Sequence, residues 1–274
     1  MKQIIILFLF LTGTFLKAQT IHWITFIDTS DRNVGRIDSN TKEKLYGKFI
    51  NIVNNALERK GYKSKIYDYY GSRVSPANCT ALVNSLSFSS KDIVVFYYIG
   101  HGGRAALGSL YDAKNPWPQM CLGQFDQSKF VPMHWVHQTL KRKGAQLTVT
   151  IGMCCNSRSP RIIHKDEPAI DLMGKRNRLV NKDYAKRIQR WFLNYQGDVE
   201  VTSATATQTS GCYDFATWGI MDVFSGVICQ LMDDYSTTPG TISWQSFLED
   251  VKYYCNRLTD GDQTPFYKVN VVAK

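Results

Sequence analysis

Residues 145–157 read A-Q-L-T-V-T-I-G-M-C-C-N-S, an apolar run followed by a pair of thiols. The β-branched run at 147–151 is long enough for a buried strand, and Gly152 ends it. Cys154 and Cys155 therefore follow the carboxyl end of a predicted strand. Ligands bind at that end of the strands in an open parallel sheet, so we predict that the chemistry of this chain is centred here.

A second stretch has the same construction. Residues 91–103 read K-D-I-V-V-F-Y-Y-I-G-H-G-G, in which a predicted strand leads to a glycine-flanked histidine, His101. If the two strands are neighbours in a parallel sheet, their carboxyl ends bring a thiol and an imidazole to one edge. A cysteine nucleophile needs an imidazole beside it. The two stretches together predict a cysteine-dependent active site at that edge.

The two blocks resemble the signature blocks of the caspase/metacaspase superfamily of cysteine proteases. In the metacaspase branch these blocks read Y-x-S-G-H-G and D-x-C-H-S, and some bacterial relatives carry D-C-C-N-S; this chain has Y-Y-I-G-H-G and M-C-C-N-S. Alignment on Ser157 makes Cys155, not Cys154, the nucleophile. His101 precedes Cys155 by 54 positions, close to the spacing of about 50 in caspases. The main departure is Met153, which stands where metacaspases carry an acid.

The resemblance implies a fold and a mechanism. The fold is a caspase-like, three-layer αβα sandwich around a mainly parallel sheet of roughly six strands, and the likeness extends over nearly all of residues 20–274. In the mechanism, Cys155 attacks a peptide carbonyl and His101 protonates the leaving amine. The backbone N–H groups of Gly102 and Cys155 form the predicted oxyanion hole, in which each donor contributes about 3 kcal/mol.

The order of the predicted elements agrees with such a sheet. Strands are predicted at 21–27, 65–69, 93–97, 147–151, 199–204 and 266–272, and helices at 42–60, 76–86, 134–143, 184–195, 218–231 and 247–257. Strands that alternate with helices favour a parallel sheet with helices on its faces. No internal repeat or linker divides the chain, so residues 20–274 are predicted to form one domain.

Residues 1–18 have the pattern of a secretory signal peptide. Lys2 precedes an apolar run at 4–11 that is short for a membrane span, and cleavage is expected after Ala18. We predict that the mature protein is secreted or periplasmic and keeps no membrane span. An uncleaved anchor is the alternative.

The chain is basic. It has 33 Lys and Arg against 23 Asp and Glu, a formal net charge of +10 that becomes +8 without Lys2 and Lys17. A positive balance attracts anionic partners, but no nucleic-acid motif accompanies it, and we predict no nucleic-acid binding. Residues 158–181 form a basic insert, with six Lys and Arg against three Asp and Glu and low apolar content, that we predict to be a mobile loop.

Five residues are candidates for the pocket that selects the substrate. Caspases line this pocket with arginines and cleave after Asp, whereas metacaspases line it with acids and cleave after Arg or Lys. The corresponding segments of this chain supply Asp28, Asp31, Arg32, Met153 and Asp214. A charged substrate side chain needs an opposite charge when it is desolvated. Three acids against one base favour cleavage after Arg or Lys.

The methionine at position 153 leaves a second function open, a catalytically weak or inactive caspase-like module that binds peptides or partner proteins. If the chain is a cysteine endopeptidase, its partner is a peptide or protein substrate. The protein is expected to be a monomer or weak dimer. The chain has seven cysteines. In an exported protein those other than Cys155 could form disulfides, and the sequence does not show which of them pair.

No metal or cofactor is indicated by a motif. His134 and His137 are three positions apart on a predicted helix, but no third ligand lies nearby, so a pair on the helix surface is predicted. Several metacaspase relatives use calcium. Calcium activation stays open here, although the sequence contains no dedicated acidic loop.

Overall fold

The structure is a computed structural model that describes residues 19–104, 115–157, 163–165, 182–215 and 218–274. The predicted signal peptide, residues 1–18, lies outside this part of the chain. The predicted mobile insert, residues 158–181, also lies outside it, except for residues 163–165.

The described residues form strands and helices in alternation. The strands are β1 (Thr20–Ile27), β2 (Lys63–Tyr70), β3 (Ile93–Ile99), β4 (Gly102–Gly103), β5 (Gln119–Cys121), β6 (Phe130–Pro132), β7 (Leu147–Met153), β8 (Ile163–Lys165), β9 (Tyr195–Thr202), β10 (Gly211–Asp214), β11 (Ile220–Asp222) and β12 (Phe266–Ala273). The helices are α1 (Gly35–Leu45), α2 (Asn51–Glu58), α3 (Pro76–Ser85), α4 (Met133–Lys141), α5 (Tyr184–Leu193), α6 (Val223–Thr237) and α7 (Trp244–Leu258). A π-helical turn, Tyr46–Ile50, joins α1 to α2, and short 3₁₀ turns lie at Gly71–Arg73 and Gln127–Lys129.

The main sheet has six strands in the order β12-β9-β7-β3-β1-β2. The strands from β9 to β2 are parallel, and β12 pairs antiparallel with β9 at one edge. The predicted α/β class and the mainly parallel six-stranded sheet are therefore confirmed. The remaining strands form two three-stranded sheets, β4-β5-β6 and β8-β10-β11.

Helices cover both faces of the main sheet. On one face α1, α2, α5, α6 and α7 bury residues such as Trp191 against Trp23 and Val149 of the sheet. On the other face α3 and α4 bury residues such as Val136 against Phe96. Strand β3 is buried along its whole length, as expected for a central parallel strand with helices on both sides. The result is a three-layer αβα sandwich.

The register of the sheet explains why the two sequence blocks meet. Strands β3 and β7 are direct neighbours, and Ile99 is paired with Met153. His101 and Cys155 each lie two residues beyond this pair. The adjacent β1 ends at the same edge, where Ile27 is paired with Ile99. The loop after β1 therefore joins the thiol and the imidazole at the carboxyl end of the sheet.

Two helix starts differ from the predictions by five residues or more. Helix α1 begins at Gly35 instead of residue 42, because its buried positions before Leu45 are Gly35, Asp38 and Thr41, and none of these has an apolar side chain that periodicity would reveal. Helix α6 begins at Val223 instead of residue 218, because residues 220–222 form β11 and pair with β10.

Within the described residues, no helix combines the length and the apolar character that crossing a membrane requires.

Candidate active site

A cavity of about 310 Å³ lies at the carboxyl end of β3 and β7. His101 and Cys155 both line it, and Met153 and Phe125 contribute apolar wall. The structure thus brings the two sequence blocks into one concave site, which is the arrangement expected of a small-molecule or peptide pocket in an open α/β sheet.

Only one of the two adjacent thiols reaches this cavity. Cys154 is fully buried and packs in the core cluster beneath α3 and α4. Cys155 is partly exposed and lines the cavity. Successive residues of a strand point to opposite faces, and the pair continues this alternation beyond Met153, which belongs to the opposite core cluster. The geometry therefore agrees with Cys155, rather than Cys154, as the reactive thiol.

The thiol of Cys155 is held in a site that favours its neutral form. Burial raises the pKa of Cys155, and the backbone N–H of Ser210, 3.4 Å from Sγ, only partly opposes this effect. A thiol with a raised pKa is protonated at neutral pH and needs a base to become a nucleophile. The imidazole of His101 lines the same cavity.

His101 has an acidic neighbour. Asp31 Oδ1 lies 3.2 Å from His101 Nε2, although the contact is not aligned as a hydrogen bond. The same oxygen accepts the N–H groups of Asn33 at 2.7 Å and Val34 at 3.0 Å. Burial alone would raise the pKa of Asp31, but these N–H donors and His101 outweigh it, so the pKa lies below its ordinary value. Asp31 is thus a carboxylate that faces the imidazole.

The backbone after His101 is held against β5. The carbonyl of His101 accepts the N–H of Cys121 at 2.9 Å and the hydroxyl of Tyr98 at 2.6 Å. Gly102 is paired with Met120 in the next position of this antiparallel ladder. Pairs in such a ladder alternate between hydrogen-bonded and free, so the N–H of Gly102 is directed away from β5. This leaves it available as the predicted oxyanion donor.

Gly102 also has no room for a side chain. A Cβ at this position would lie 2.6 Å from Cys154 Sγ and 2.9 Å from the carbonyl oxygen of Gln119. The glycine therefore allows the backbone after His101 to approach Cys154 closely.

Two glutamines fix the loop that carries Ser210. Gln208 accepts the N–H of Thr264 at 2.6 Å and donates to the carbonyl of Gly261 at 2.9 Å. Gln263, in turn, accepts the N–H of Gly211 at 2.7 Å and donates to the carbonyl of Ser203 at 3.1 Å. The Q-T-S segment at 208–210 and the Q-T-P segment at 263–265 therefore hold each other in place behind Cys155.

The predicted substrate-binding residues are placed in different surroundings. Met153 lines the cavity. Asp31 does not line it but contacts His101. Asp28 is fully buried behind the site, where burial raises its pKa and Ser30 Oγ donates to Oδ1 at 3.1 Å. Arg32 and Asp214 are exposed, and neither lines the cavity. Of the five candidates, only Met153 lines the cavity and only Asp31 contacts His101.

Two other acids line the cavity and are not among the five residues predicted from the sequence. Asp38, in the first turn of α1, is 2% exposed, and Asp222, the N-cap of α6, is 1% exposed. Burial raises the pKa of Asp222 to about 6, against hydrogen bonds from Ser225 and Thr41 that lower it. Burial, together with the charges of Asp222, Asp28 and Asp31, raises the pKa of Asp38 well above its ordinary value.

The sequence carries a weak signal for each acid. Asp38 falls three residues after Gly35 and seven before Leu45, on the buried stripe of α1. Asp222 directly precedes the apolar run that begins at Val223, in the position of a helix N-cap.

The described residues contain no group of three or more His, Cys, Asp or Glu side chains arranged to hold a metal ion. The predicted surface pair is wrong for His137, which is 1% exposed and contacts Thr150 at 3.0 Å and Asp198 at 3.1 Å. All seven cysteines lie in the described part of the chain, and all are free thiols.

Comparison with known proteins supports the fold and does not identify a function. No family model matches the chain, and no curated protein matches its sequence. Among solved structures 152 chains match. One is the crystal structure of a Geobacter sulfurreducens protein solved as a structural genomics target, with a TM-score of 0.50 and 15% identity over 91% of this chain and 92% of that chain. Such a likeness concerns the fold alone, so function has to be argued from the site.

Proposed function

We propose that this chain is an exported cysteine-type endopeptidase that hydrolyses peptide bonds through Cys155 and His101 and prefers Arg or Lys before the cleaved bond. The observation that carries the proposal is the shared cavity. A partly exposed thiol and an imidazole line it from adjacent strand ends, while the neighbouring thiol, Cys154, is buried on the other side of the sheet. The substrate is a peptide or protein that enters this cavity.

The first half of the reaction forms an acyl-enzyme. His101 accepts the proton of the Cys155 thiol as Sγ attacks the peptide carbonyl carbon. A C–S bond forms, and the carbonyl π electrons move to oxygen, which accepts the N–H groups of Gly102 and Cys155. The C–N bond then breaks, and the proton on His101 passes to the leaving amine.

The second half releases the product. A water molecule loses a proton to His101 and adds to the thioester carbon. The C–S bond breaks, a carboxylic acid leaves, and the sulfur regains its proton from His101. Because Nε2 of His101 faces Asp31, Nδ1 is the nitrogen that exchanges these protons. Asp31 acts here as a positioning residue, because it favours the tautomer with the proton on Nε2.

The test is covalent labelling of the full chain. A peptidyl acyloxymethyl ketone with Arg in the position before the reactive carbonyl should form one adduct, mapped by mass spectrometry to Cys155. Labelling should be absent in Cys155→Ala and at least about 10²-fold slower in His101→Ala, since the two side chains act as a unit. Reversible peptide binding without an adduct in the wild-type protein would instead identify the inactive binding module.

A further inference from the structure

The edge of the main sheet opposite the candidate active site is basic. This amino edge consists of the segments that lead into the parallel strands and of the end of β12, which are residues 19–20, 58–63, 86–92, 141–146, 193–196 and 273–274. They carry eight Lys and Arg against two Asp and Glu. One of the two acids, Asp92, is buried and accepts the N–H groups of Thr20 at 3.0 Å and Ser89 at 2.7 Å. The exposed surface of the amino edge therefore has a strong excess of positive charge.

A cleft of about 330 Å³ lies at the amino edge, beside the ends of α2 and α5. Three basic side chains and no acidic one line it, and its lining residues are Lys60, Lys186, Gln189, Arg190, Leu193 and Asn194. Within the described residues, no ion pair includes Lys60 or Arg190. Lys186 Nζ lies 3.0 Å from Asp183, in an exposed pair of the kind that contributes little. Three cations that face one cleft repel each other, and an anion in the cleft relieves that repulsion.

Only part of this charge is used inside the fold. Lys141 Nζ lies 2.7 Å from Asp198, and Lys143 Nζ donates to the carbonyl of Leu86 at 2.5 Å. Basic side chains at the ends of α2, α4 and α5 also complement the helix dipoles, an effect that leaves their charge exposed to solvent. Four exposed lysines of the amino edge form no ion pair within the described part of the chain, namely Lys60, Lys63, Lys91 and Lys274. The packing of the domain therefore does not account for most of the positive charge at this edge.

The chain enters the fold at the amino edge. The carbonyl of Gln19 accepts the N–H of Lys63 at 2.8 Å, directly before β1 begins. The apolar run at 4–11, the core of the predicted signal peptide, ends eight positions before Gln19. Eight residues span at most about 28 Å, so the amino edge lies close to lipid headgroups while this run is in a bilayer during export. Val272, near the end of β12, is 67% exposed and presents an apolar side chain at the same edge.

We propose that the amino edge is a docking surface for anionic phospholipids, and that the cleft of Lys60, Lys186 and Arg190 holds a headgroup phosphate. An arginine guanidinium binds a phosphate through two parallel hydrogen bonds, and lysines act on it as point charges. Each basic side chain near an anionic membrane adds to the attraction. A nucleic acid carries the same charge as such a membrane, but the sequence has no nucleic-acid motif, and the position of residues 4–11 favours a bilayer.

Docking through this edge leaves the candidate active site open. Strands β3 and β7 each have seven residues, so the cavity at their carboxyl ends lies about 20 Å from the amino edge. The cavity of the docked protein therefore faces away from the membrane. This inference does not rest on the proposed peptidase activity, because the surface and the cavity share no residue.

The test measures the binding of the full chain to lipid vesicles by sedimentation. One set of vesicles contains phosphatidylglycerol and phosphatidylcholine in equal parts, and the other contains phosphatidylcholine alone. We expect binding to the anionic vesicles to be at least about tenfold tighter in low salt. This binding should weaken at least about tenfold between about 0.05 M and about 0.5 M NaCl. Equal binding to the two sets would show that residues 1–18 or another apolar contact attach the protein, and would overturn the proposal.

Charge reversal assigns the effect to the cleft. A triple variant with Lys60→Glu, Lys186→Glu and Arg190→Glu should bind the anionic vesicles at least about tenfold more weakly than the wild-type protein. If the reversed charges prevent folding, the neutral variant with Lys60→Gln, Lys186→Gln and Arg190→Gln gives the same measurement, and circular dichroism verifies the fold of each. Wild-type vesicle binding by a folded triple variant would contradict the assignment of the cleft.

The matched control reverses three exposed basic side chains outside the amino edge, with Arg36→Glu, Lys252→Glu and Arg257→Glu. It has the same net charge as the triple reversal of the cleft. Its binding to the anionic vesicles should stay within about threefold of wild type, because charges farther from the membrane than the Debye length are screened. An equal loss in the two variants would mean that net charge alone decides binding, and the docking surface would be lost.

Inorganic phosphate and a short DNA duplex separate a lipid surface from other anions. Each is titrated calorimetrically into the wild-type protein at physiological salt, and we expect neither to bind more tightly than in the millimolar range. Micromolar binding of phosphate by a protein that does not bind the vesicles would make the cleft a site for a free anion. Duplex binding that requires Lys60, Lys186 and Arg190, without vesicle binding, would make the amino edge a nucleic-acid surface. Either result would overturn the proposal.

Discussion

The contact between Asp31 and His101 makes the imidazole sensitive to a residue that does not line the cavity. Asp31→Asn removes the charge 3.2 Å from Nε2 and permits the wrong tautomer. We expect kcat to fall at least about tenfold with KM little changed, because the substrate does not touch this side chain. Alkylation of Cys155 by iodoacetamide should slow in parallel. Arg32→Ala, at the exposed neighbour in the same loop, is the control, and an equal loss in that variant would contradict a specific role for Asp31.

The buried position of Cys154 predicts that it contributes to stability and not to turnover. Cys154→Ala removes a fully buried sulfur from the core cluster beneath α3 and α4. Loss of a small buried group costs about 1 kcal/mol in the free energy of unfolding, whereas labelling and hydrolysis should stay within about twofold of wild type. Urea denaturation and the labelling rate measure the two effects. A large loss of labelling in a variant that remains folded would show that the wrong cysteine has been assigned.

Gly102 is the position where a methyl group should damage the site most directly. The added Cβ would lie 2.6 Å from Cys154 Sγ and 2.9 Å from the Gln119 carbonyl oxygen, so the backbone that carries the proposed oxyanion donor has to move. We expect kcat for Gly102→Ala to fall on the order of 10²-fold. Gly47→Ala is the matched control, because nothing lies within 4 Å of the Cβ added there. Wild-type turnover in Gly102→Ala would exclude this N–H from the oxyanion hole.

At the scale of the elements, local sequence patterns predicted the parts of the site that depend on neighbouring residues. The thiol and the imidazole could be predicted because each follows an apolar strand directly. The parallel register of β3 and β7 then brings the two strand ends together. Asp38 and Asp222 depend instead on packing between α1 and the start of α6, which are far apart in the chain. One contact there is the N–H of Asp222 to Thr41 Oγ1, at 3.3 Å across 181 positions. A single sequence gives no indication of such a contact.

The same reason explains the placement of Asp31. The sequence places Asp31 in the loop after β1, but it does not give the orientation of the side chain. The turn in which its carboxylate accepts the N–H groups of Asn33 and Val34 directs it to the imidazole. A turn of this kind is a local feature, whereas the side chain that it faces comes from another strand end.

The hydrogen bonds of Gln208 and Gln263 clamp the loops at 208–210 and 263–265 together. We expect that loosening this clamp changes both stability and substrate binding. Gln263→Leu leaves the buried Gly211 N–H and Ser203 carbonyl without the partners that Gln263 provides. Buried polar groups without partners cost about 1–3 kcal/mol each, so we expect lower stability and, in the folded fraction, a higher KM because the loop of Ser210 shifts. Gln245→Leu, at an exposed glutamine of α7, should change neither quantity. A normal KM in folded Gln263→Leu would count against the clamp.

At the scale of the whole molecule, buried titratable groups lie on both faces of the sheet. Asp38 and Asp222 belong to the face covered by α1 and α6. On the other face Glu200 Oε2 lies 2.9 Å from His134 Nδ1 and 3.9 Å from His137 Nε2. Burial and the charge of Asp198 raise the pKa of Glu200 to about 9, although Lys268 and Lys141 act in the opposite direction. Glu200 therefore keeps its proton in the folded protein at neutral pH.

The raised pKa of Glu200 predicts a loss of stability as the pH rises. The unfolded chain releases this proton near the ordinary glutamate pKa of 4.5, and the folded chain near 9, so the folded state binds more protons throughout that interval. The free energy of unfolding then falls with increasing pH, by at most about 1.4 kcal/mol per pH unit for one proton. Burial lowers the pKa values of His134 and His137, which gives the opposite slope, but only up to the ordinary histidine value near 6.5.

Between pH 6.5 and 8 the pH dependence of stability that comes from Glu200 is therefore separated from that of the histidines. It is also largely separated from that of Asp222, because the pKa of Asp222 is about 6. Urea denaturation of the full chain should show the wild-type protein losing about 1–2 kcal/mol across this interval. Glu200→Gln, which has no proton to lose, should have a slope shallower than wild type by this amount and be the more stable protein at pH 8, whereas Asp38, whose pKa is also raised, adds the same slope to both proteins. Glu249→Gln, at an exposed acid of α7, should behave as wild type. If Glu200→Gln retains the wild-type slope, the carboxyl is already ionised in the folded state, held by His134, and the pair on this face is a salt bridge rather than a neutral hydrogen bond.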